Sequence, residues 1–112
     1  GEPVDVVIDM KGETYSKVSI RTFVSKWEDM YPPLGLTVYA SDDNEHFCEV
    51  AVEEYPIETE TVPDGIKLFD VEFPQTSSRY LRVVVRTVPE LPEWSERTGR
   101  PAYLFLDEIK VE

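Results

Sequence analysis

The chain is poor in histidine and cysteine, two residue types on which many catalytic and metal sites depend. Its 112 residues include one histidine, His46, and one cysteine, Cys48. A histidine-based triad or a zinc site cannot be assembled from these two side chains alone, because a structural zinc needs about four ligands. We therefore expect His46 to be a surface residue in a polar turn. Cys48 cannot form an internal disulfide, and we expect a small buried or half-buried residue on a strand.

Long apolar runs and basic residues are also scarce. No run approaches the roughly 18 apolar residues of a membrane span, and the first residues lack the pattern of a secretion signal. The chain has 23 acidic and 11 basic residues, and its net charge of -12 repels nucleic-acid phosphates and anionic lipid head groups. We therefore predict no membrane insertion and no nucleic-acid partner.

The length of the chain limits its organisation. At 112 residues it is predicted to be a single domain, residues 1–112, well below the ~200 residues of a catalytic α/β barrel. Without a span or a signal pattern, the protein is expected to be either cytosolic or a piece of a longer protein. Gly1, Glu2 and Pro3 lead at once into a predicted strand without an initial methionine, which favours a piece of a longer protein.

Apolar and polar residues alternate over most of the chain, which is the pattern of half-buried β-strands. In the first of them Val4, Val6 and Ile8 lie on the opposite face from Asp5 and Asp9. Similar segments predict seven strands, at residues 4–10, 17–24, 34–41, 47–52, 66–73, 79–86 and 102–111. No segment has a convincing helical period. The chain is therefore predicted to be all-β, an antiparallel β-sandwich.

Two of these strands carry more specific predictions. In the fourth, Phe47, Val50 and Val52 are predicted to share a face, with a bulge at Cys48 and Glu49 that absorbs a break in the alternation. The seventh is apolar on both faces over much of its length, which predicts a strand central to its sheet rather than an edge strand.

Asp107 and Glu108 in the seventh strand are the most tempting catalytic pair, because glycoside hydrolysis usually needs two carboxylates. Neighbouring residues on a strand point to opposite faces, so these two are not expected to serve one site. We therefore predict no catalytic residues. One carboxylate is expected to bond backbone amides or a cation, and the other to be solvated.

Two long loops, residues 25–33 and 89–101, hold the candidate ligand-binding residues. These residues are Trp27 and Tyr31 in the first loop and Trp94, Arg97 and Arg100 in the second. Aromatic rings can stack on the apolar faces of sugars, and arginines can donate several hydrogen bonds to hydroxyls or a carboxylate. The alternative is structural: each tryptophan plugs an open end of the core, and each arginine pairs with a nearby glutamate.

Several segments, taken in order, resemble the discoidin or coagulation factor 5/8 type C family. They are Val6-Val7-Ile8-Asp9-Met10, Tyr15-Ser16-Lys17-Val18-Ser19-Ile20, Val38-Tyr39-Ala40-Ser41-Asp42, Ser78-Arg79-Tyr80-Leu81-Arg82-Val83 and Phe105-Leu106-Asp107-Glu108-Ile109. The resemblance runs nearly end to end. Leu91-Pro92-Glu93-Trp94, followed by Gly99-Arg100-Pro101-Ala102-Tyr103, looks like the C-terminal module of bacterial family 20 glycoside hydrolases, the β-N-acetylhexosaminidases or chitobiases of gut Bacteroidetes.

The resemblance implies a discoidin-like jelly roll with a calcium site. In the family, a segment ahead of the first strand supplies most of that site, and Glu108 matches its remaining side chain. Since no such segment precedes Val4 here, the site is expected to be incomplete and calcium binding weak. No other cofactor is expected. Many relatives have histidine after the loop tryptophan where this chain has Ser95, which weakens any transfer of a ligand contact to that position.

The resemblance also implies a function. The chain is expected to be a non-catalytic accessory domain of a secreted, periplasmic or cell-surface β-N-acetylhexosaminidase, with a glycan as its partner. One alternative is a structural domain that packs on the catalytic domain and binds no sugar. Another is a protein-adhesion module, which requires a contiguous exposed apolar patch.

Overall fold

A computed structural model describes residues 3–25, 30–55, 64–87 and 104–112, except for the side chain of Phe105. These residues form two antiparallel β-sheets that pack against each other. The described residues include no helix, and therefore none long and apolar enough to cross a membrane. The all-β sandwich predicted from the sequence is confirmed.

All seven predicted strands are present. They are β1 (Val4–Asp9), β2 (Tyr15–Val24), β3 (Gly35–Ser41), β4 (Cys48–Glu54), β5 (Gly65–Thr76), β6 (Tyr80–Arg86) and β7 (Phe105–Val111). The four-stranded sheet has the order β1-β6-β3-β4, and the three-stranded sheet has the order β5-β2-β7. Only β3 and β4 are both consecutive in the chain and paired, so most strand pairs join distant segments.

The core lies between the two sheets and follows the alternation of the central strands. Val18 and Ile20 of β2, and Leu81 and Val83 of β6, are at most 1% exposed. Burying one such side chain contributes about 1.5–3 kcal/mol, so these inner faces supply much of the stability of the fold. The other members of the buried cluster are Tyr15, Leu36, Val38, Val71, Phe73 and Val85.

The fourth strand differs from its prediction. The bulge falls at Val50, because Val38 pairs with Ala51 while the next residue, Tyr39, pairs with Glu49. The shift turns Ala51 toward the core and leaves Val52 45% exposed on the outer face. Val52 was therefore assigned to the wrong face. Cys48 lies on the strand as predicted, but it is exposed rather than buried.

The seventh strand also differs from its prediction. In the part of the chain that the structure describes, β7 pairs with β2 alone and is an edge strand, not a central one. Its register shifts by one residue, so that Asp107 is an extra residue beside Glu108, which pairs with Arg21. Such a bulge interrupts the alternation, and both carboxylates contact Arg21. The expectation that they point to opposite faces was wrong.

The long loops leave from one end of the sandwich, called here the loop end. β2, β4 and β6 finish at this end, and the other four strands begin there. Main-chain hydrogen bonds extend the pairing of the four-stranded sheet beyond the strand ends. Leu34 N donates to Arg86 O, and Tyr55 N donates to Leu34 O, both at 2.8 Å. Short turns connect the strands at the opposite end.

Candidate functional site

The outer face of the three-stranded sheet carries a half-open groove of about 360 Å³, called here the outer groove. Its lining residues are Lys17, Ser19, Ile20, Arg21, Leu68, Asp70, Glu108, Lys110 and Glu112. The alternation of β2 explains its position, because Val18 and Ile20 fill the core while the alternate residues Lys17, Ser19 and Arg21 face outward. Ser19 lies at its centre, since it pairs with Asp70 of β5 on one side and Lys110 of β7 on the other.

Arg21 and the β7 bulge form a paired polar contact at the outer groove. The Arg21 guanidinium donates two hydrogen bonds to Asp107, from Nε at 3.0 Å and from Nη2 at 2.9 Å. Arg21 Nη1 also lies 3.5 Å from Glu108 Oε2. The hydrogen bonds from Arg21 lower the pKa of Asp107 and, in return, raise the pKa of Arg21. Asp107 therefore stays ionised and acts as an acceptor only.

The remaining charges of the outer groove are paired as well. Lys17 Nζ lies 3.6 Å from Asp70, and Lys110 Nζ lies 2.7 Å from Glu112. The hydrogen bond from Lys110 lowers the pKa of Glu112. The groove thus presents donors and acceptors side by side, a surface suited to polar ligands or to a protein. None of its shifted carboxyls has a raised pKa, which a general acid would need.

The outer face of the four-stranded sheet carries a second set of ion pairs. Arg82 Nε donates to Asp5 at 2.9 Å, and the Arg82 guanidinium lies 5.6 Å from the Tyr39 ring centroid and 5.8 Å from that of Phe47. Arg79 makes the equivalent paired contact with Asp9, at 3.2 and 3.0 Å. Hydrogen bonds from these arginines lower the pKa of Asp5 and Asp9. The arginines fix strand neighbours and leave both carboxylates ionised.

Four of the five predicted ligand-binding residues, Trp27, Trp94, Arg97 and Arg100, lie outside the described residues. The fifth, Tyr31, is 3% exposed and belongs to the core. A buried ring cannot stack on a ligand, so Tyr31 contributes to packing in this structure. The loop that contains it is anchored by a pair of hydrogen bonds between the main chains of Ser25 and Met30, at 3.0 and 2.9 Å.

The two predicted ligand loops nonetheless leave from the same end of the molecule. The first connects β2 to β3, and the second connects β6 to β7; all four strand ends concerned are at the loop end. In the four-stranded sheet the start of β3 and the end of β6 are direct neighbours, because Gly35 pairs with Arg86. The strand register therefore brings the strand that follows the first loop beside the strand that precedes the second loop.

Glu108, which the resemblance matches to a calcium ligand, lies on the outer face of β7 and is 51% exposed. Calcium takes six to eight oxygen ligands. Here the Arg21 guanidinium lies 3.5 Å from Glu108, and the neighbouring Asp107 already accepts two hydrogen bonds from it. A cation placed beside Glu108 would be repelled by Arg21. The described surroundings of Glu108 therefore do not fit a calcium ion.

Asp43, Glu45 and His46 form another group whose possible metal ligand atoms lie within 4.8 Å of one another. The atoms of Asp43 are already used by the turn. Its Oδ1 accepts hydrogen bonds from Ser41 Oγ and from the main-chain N of Glu45 and His46, each at 2.8 Å. Its Oδ2 lies 2.6 Å from His46 Nδ1. The group is a capped turn with an exposed histidine, as predicted for His46.

The sequence reasoning missed the outer groove and the arginine pairs on both sheets. Arg21, Arg79 and Arg82 reach carboxylates that are 70 or more positions away in the chain. The signal available was the placement of Asp5 and Asp9 on the outward face of β1. Using it required the strand order, which the sequence pattern alone does not supply.

No model of a known protein family matches the chain, and a search of curated proteins finds no relative. The discoidin and hexosaminidase assignments therefore stay predictions that rest on the resemblance of the segments quoted above. The sandwich fold stands independently on the geometry.

Proposed function

We propose that this chain is a non-catalytic accessory domain that binds glycan for a secreted, periplasmic or cell-surface β-N-acetylhexosaminidase. The observation that carries the non-catalytic part of the proposal is the pairing of three outer-face carboxylates with arginines. Asp5, Asp9 and Asp107 each accept two hydrogen bonds from one arginine, which lowers the pKa of each. A carboxyl held ionised in this way cannot deliver the proton that glycoside hydrolysis requires.

The choice of glycan as the ligand is supported by the loop residues and by their points of attachment. Tryptophan supplies an apolar platform for a sugar ring, and arginine supplies directed hydrogen bonds. The loops that contain Trp27 and Trp94 leave from neighbouring strand ends of one rigid sandwich. A small module of this kind is expected to bind weakly, with a dissociation constant of about 1 mM, or ~4 kcal/mol. Such binding raises the local substrate concentration near an attached enzyme.

Two assays test this proposal. The purified chain should release no product from a chromogenic N-acetylglucosaminide, and it should be retarded during electrophoresis through a gel that contains soluble chitin. Trp94→Ala should abolish the retardation, and an unrelated polymer in the gel should give none. Turnover that is lost in Glu108→Gln would show that the chain is an enzyme.

A second candidate function is structural support, in which this domain packs on the catalytic domain. The exposed aliphatic residues of β5 favour it: Ile66 is 68% exposed and Leu68 is 72% exposed, side by side on the outer face. Covering apolar side chains of this kind with a protein surface is energetically favourable. Leu68→Lys should then weaken binding of the chain to a purified hexosaminidase catalytic domain, and the unsubstituted chain should show no glycan retardation. Unchanged binding would remove this candidate.

A further inference from the structure

The outer groove and the loop end are connected by one strand, because β2 runs from the first to the second. Ser19 lies at the centre of the outer groove, and β2 ends with Val24 at the loop end. A strand rises about 3.3 Å per residue, so the five steps from Ser19 to Val24 span ~17 Å, roughly the length of three linked sugar rings. A longer ligand that is held at the loop end can therefore reach the outer groove along the outer face of the sheet.

The outer face between the outer groove and the loop end carries exposed apolar side chains. Phe23 of β2 is 38% exposed, and it pairs with Ile66 of β5, which is 68% exposed. Leu68 is 72% exposed, lies on the same face of β5 as Ile66 and forms part of the groove wall. Sugar rings have apolar faces that pack on aromatic and aliphatic side chains. These three residues therefore match the apolar side of a sugar chain.

Two ion pairs of the outer groove leave room for a hydroxyl group. Lys17 Nζ lies 3.6 Å from Asp70 Oδ2, and Arg21 Nη1 lies 3.5 Å from Glu108 Oε2. Both distances exceed the roughly 2.7–3.2 Å of a direct N–H···O hydrogen bond. A sugar hydroxyl both donates and accepts hydrogen bonds, so it can accept from the cation and donate to the carboxylate of one pair. Neither charge then loses its partner, and the ligand itself carries no charge.

The mixture of charges in the outer groove disfavours other occupants. Three cations and three carboxylates line it, so a charged ligand meets repulsion as well as attraction. A protein segment that covered the groove, from this chain or another, would remove all six charges from water, and this desolvation is costly. Protein interfaces are accordingly poor in lysine, glutamate and aspartate at their centres. A sugar avoids this cost, because its hydroxyls replace the water at these charges.

We propose that the outer groove is a second subsite for the glycan, so that one neutral oligosaccharide lies along β2 from the loop end to Ser19. This inference rests on the proposed function and adds a requirement for ligand length. At about 3.3 Å per strand residue, roughly four or more linked N-acetylglucosamine units are needed to engage both subsites. A disaccharide engages the loop end alone.

The test compares the dimer and the pentamer of N-acetylglucosamine in NMR titrations of the whole chain. The dimer should shift amide resonances at the loop end, such as those of Ser25 and Met30. The pentamer should also shift the amides of Ser19, Asp70 and Lys110 in the outer groove. Because both subsites then hold one ligand, the pentamer should bind about tenfold more tightly than the dimer.

Variants of the outer face locate the contact. Ser19→Gln fills the centre of the outer groove and should bring the affinity for the pentamer down to that for the dimer. Leu68→Ala removes part of the groove wall and should weaken pentamer binding several-fold without a change in melting temperature. Val7→Gln introduces the same side chain as Ser19→Gln on the outer face of the other sheet, where Val7 is 47% exposed, and should leave pentamer binding unchanged.

The possible failures are distinguishable. If both oligomers shift the loop end with equal affinity and neither shifts Ser19, the outer groove is not a subsite, while the proposed function stands. If neither oligomer shifts the loop end or the groove, both the subsite and the proposed function are wrong. Full affinity for the pentamer in both Ser19→Gln and Leu68→Ala would also overturn the groove subsite.

Discussion

At the scale of single residues, one glycine positions a charged side chain. A Cβ at Gly35 would overlap Nη2 of Arg86, and it would lie 2.6 Å from Arg86 Cζ and 2.9 Å from the Glu53 carbonyl oxygen. Without that carbon, the guanidinium lies across β3 and donates to Thr37 Oγ1 and Glu54 Oε1, each at 2.7 Å. Glycine is needed at position 35 for space.

Gly35→Ala should therefore destabilise the chain. The added methyl group must displace Arg86 or shift β3 from β4, and we expect the free energy of unfolding to fall by about 1–3 kcal/mol. Urea denaturation measures the change. In an Arg86→Ala background the same substitution should cost less, because the larger of the two clashes is gone. An equal cost in both backgrounds would mean that the clash with Arg86 is not the cause.

His46 gives a pH dependence whose sign is fixed by its contact with Asp43. The hydrogen bond to Asp43 raises the pKa of His46 above its usual 6.5. The stabilisation it contributes is therefore complete below about pH 6.5 and is lost as the pH rises through the folded-state pKa. The melting temperature should exceed that of His46→Gln by more at about pH 6 than at about pH 8.5. Equal differences at both pH values would contradict this.

At the scale of strands, the β7 bulge places its two carboxylates at unequal distances from Arg21. Asp107 accepts two hydrogen bonds from Arg21 at 3.0 and 2.9 Å, whereas Glu108 lies 3.5 Å from the same side chain. Asp107→Asn should therefore lower the melting temperature more than Glu108→Gln does. Thermal unfolding of both variants at neutral pH makes the comparison. The reverse order would show that Glu108 has a partner beyond Arg21.

Two leucines on opposite faces provide a matched test of the sheet packing. Leu81 of β6 is 0% exposed, and Leu68 of β5 is 72% exposed. Leu81→Ala should lower the free energy of unfolding by about 2–5 kcal/mol, since it leaves a cavity in the core. Leu68→Ala should change it by less than about 0.5 kcal/mol. Similar costs for both would contradict the assignment of inner and outer faces.

The sequence predicts the inward-facing residues correctly in strands that have no bulge. In β1 and β6 the alternation runs unbroken, so the residues that face inward, such as Ile8 and Val83, follow from the period alone. In β4 the extra residue Val50 reverses the alternation, and Val52 changes face. The place of a bulge depends on the partner strand. A single sequence does not specify that partner, so the edge position of β7 was missed too.

The candidate site shows the same limit. The loops at residues 25–33 and 89–101 were recognisable by their lack of period, and the structure adds that both leave from the loop end. The burial of Tyr31 was not predictable, because it depends on tertiary packing that the sequence pattern alone does not specify. The outer groove needed the pairing of Ser19 with Asp70 and Lys110, which are distant in the chain.

At the scale of the whole molecule, the distribution of charge limits which ligands can approach the surface. Arginines and lysines are paired with carboxylates on both outer faces, and a net charge of -12 remains. A neutral glycan can approach such a surface, whereas a polyanion is repelled. Under the proposed function, a neutral sugar therefore binds at the aromatic loops.

The most direct test of glycan binding follows the amide resonances of the chain during titration with N-acetylglucosamine and its oligosaccharides. The account predicts shifts at the loop end, including Ser25, Met30 and Leu104, that saturate at millimolar sugar. Trp94→Ala should remove these shifts and leave the melting temperature almost unchanged. If no resonance at the loop end moves, or if Trp94→Ala lowers the melting temperature sharply while the shifts persist, the tryptophan belongs to the core and the glycan-binding account is wrong.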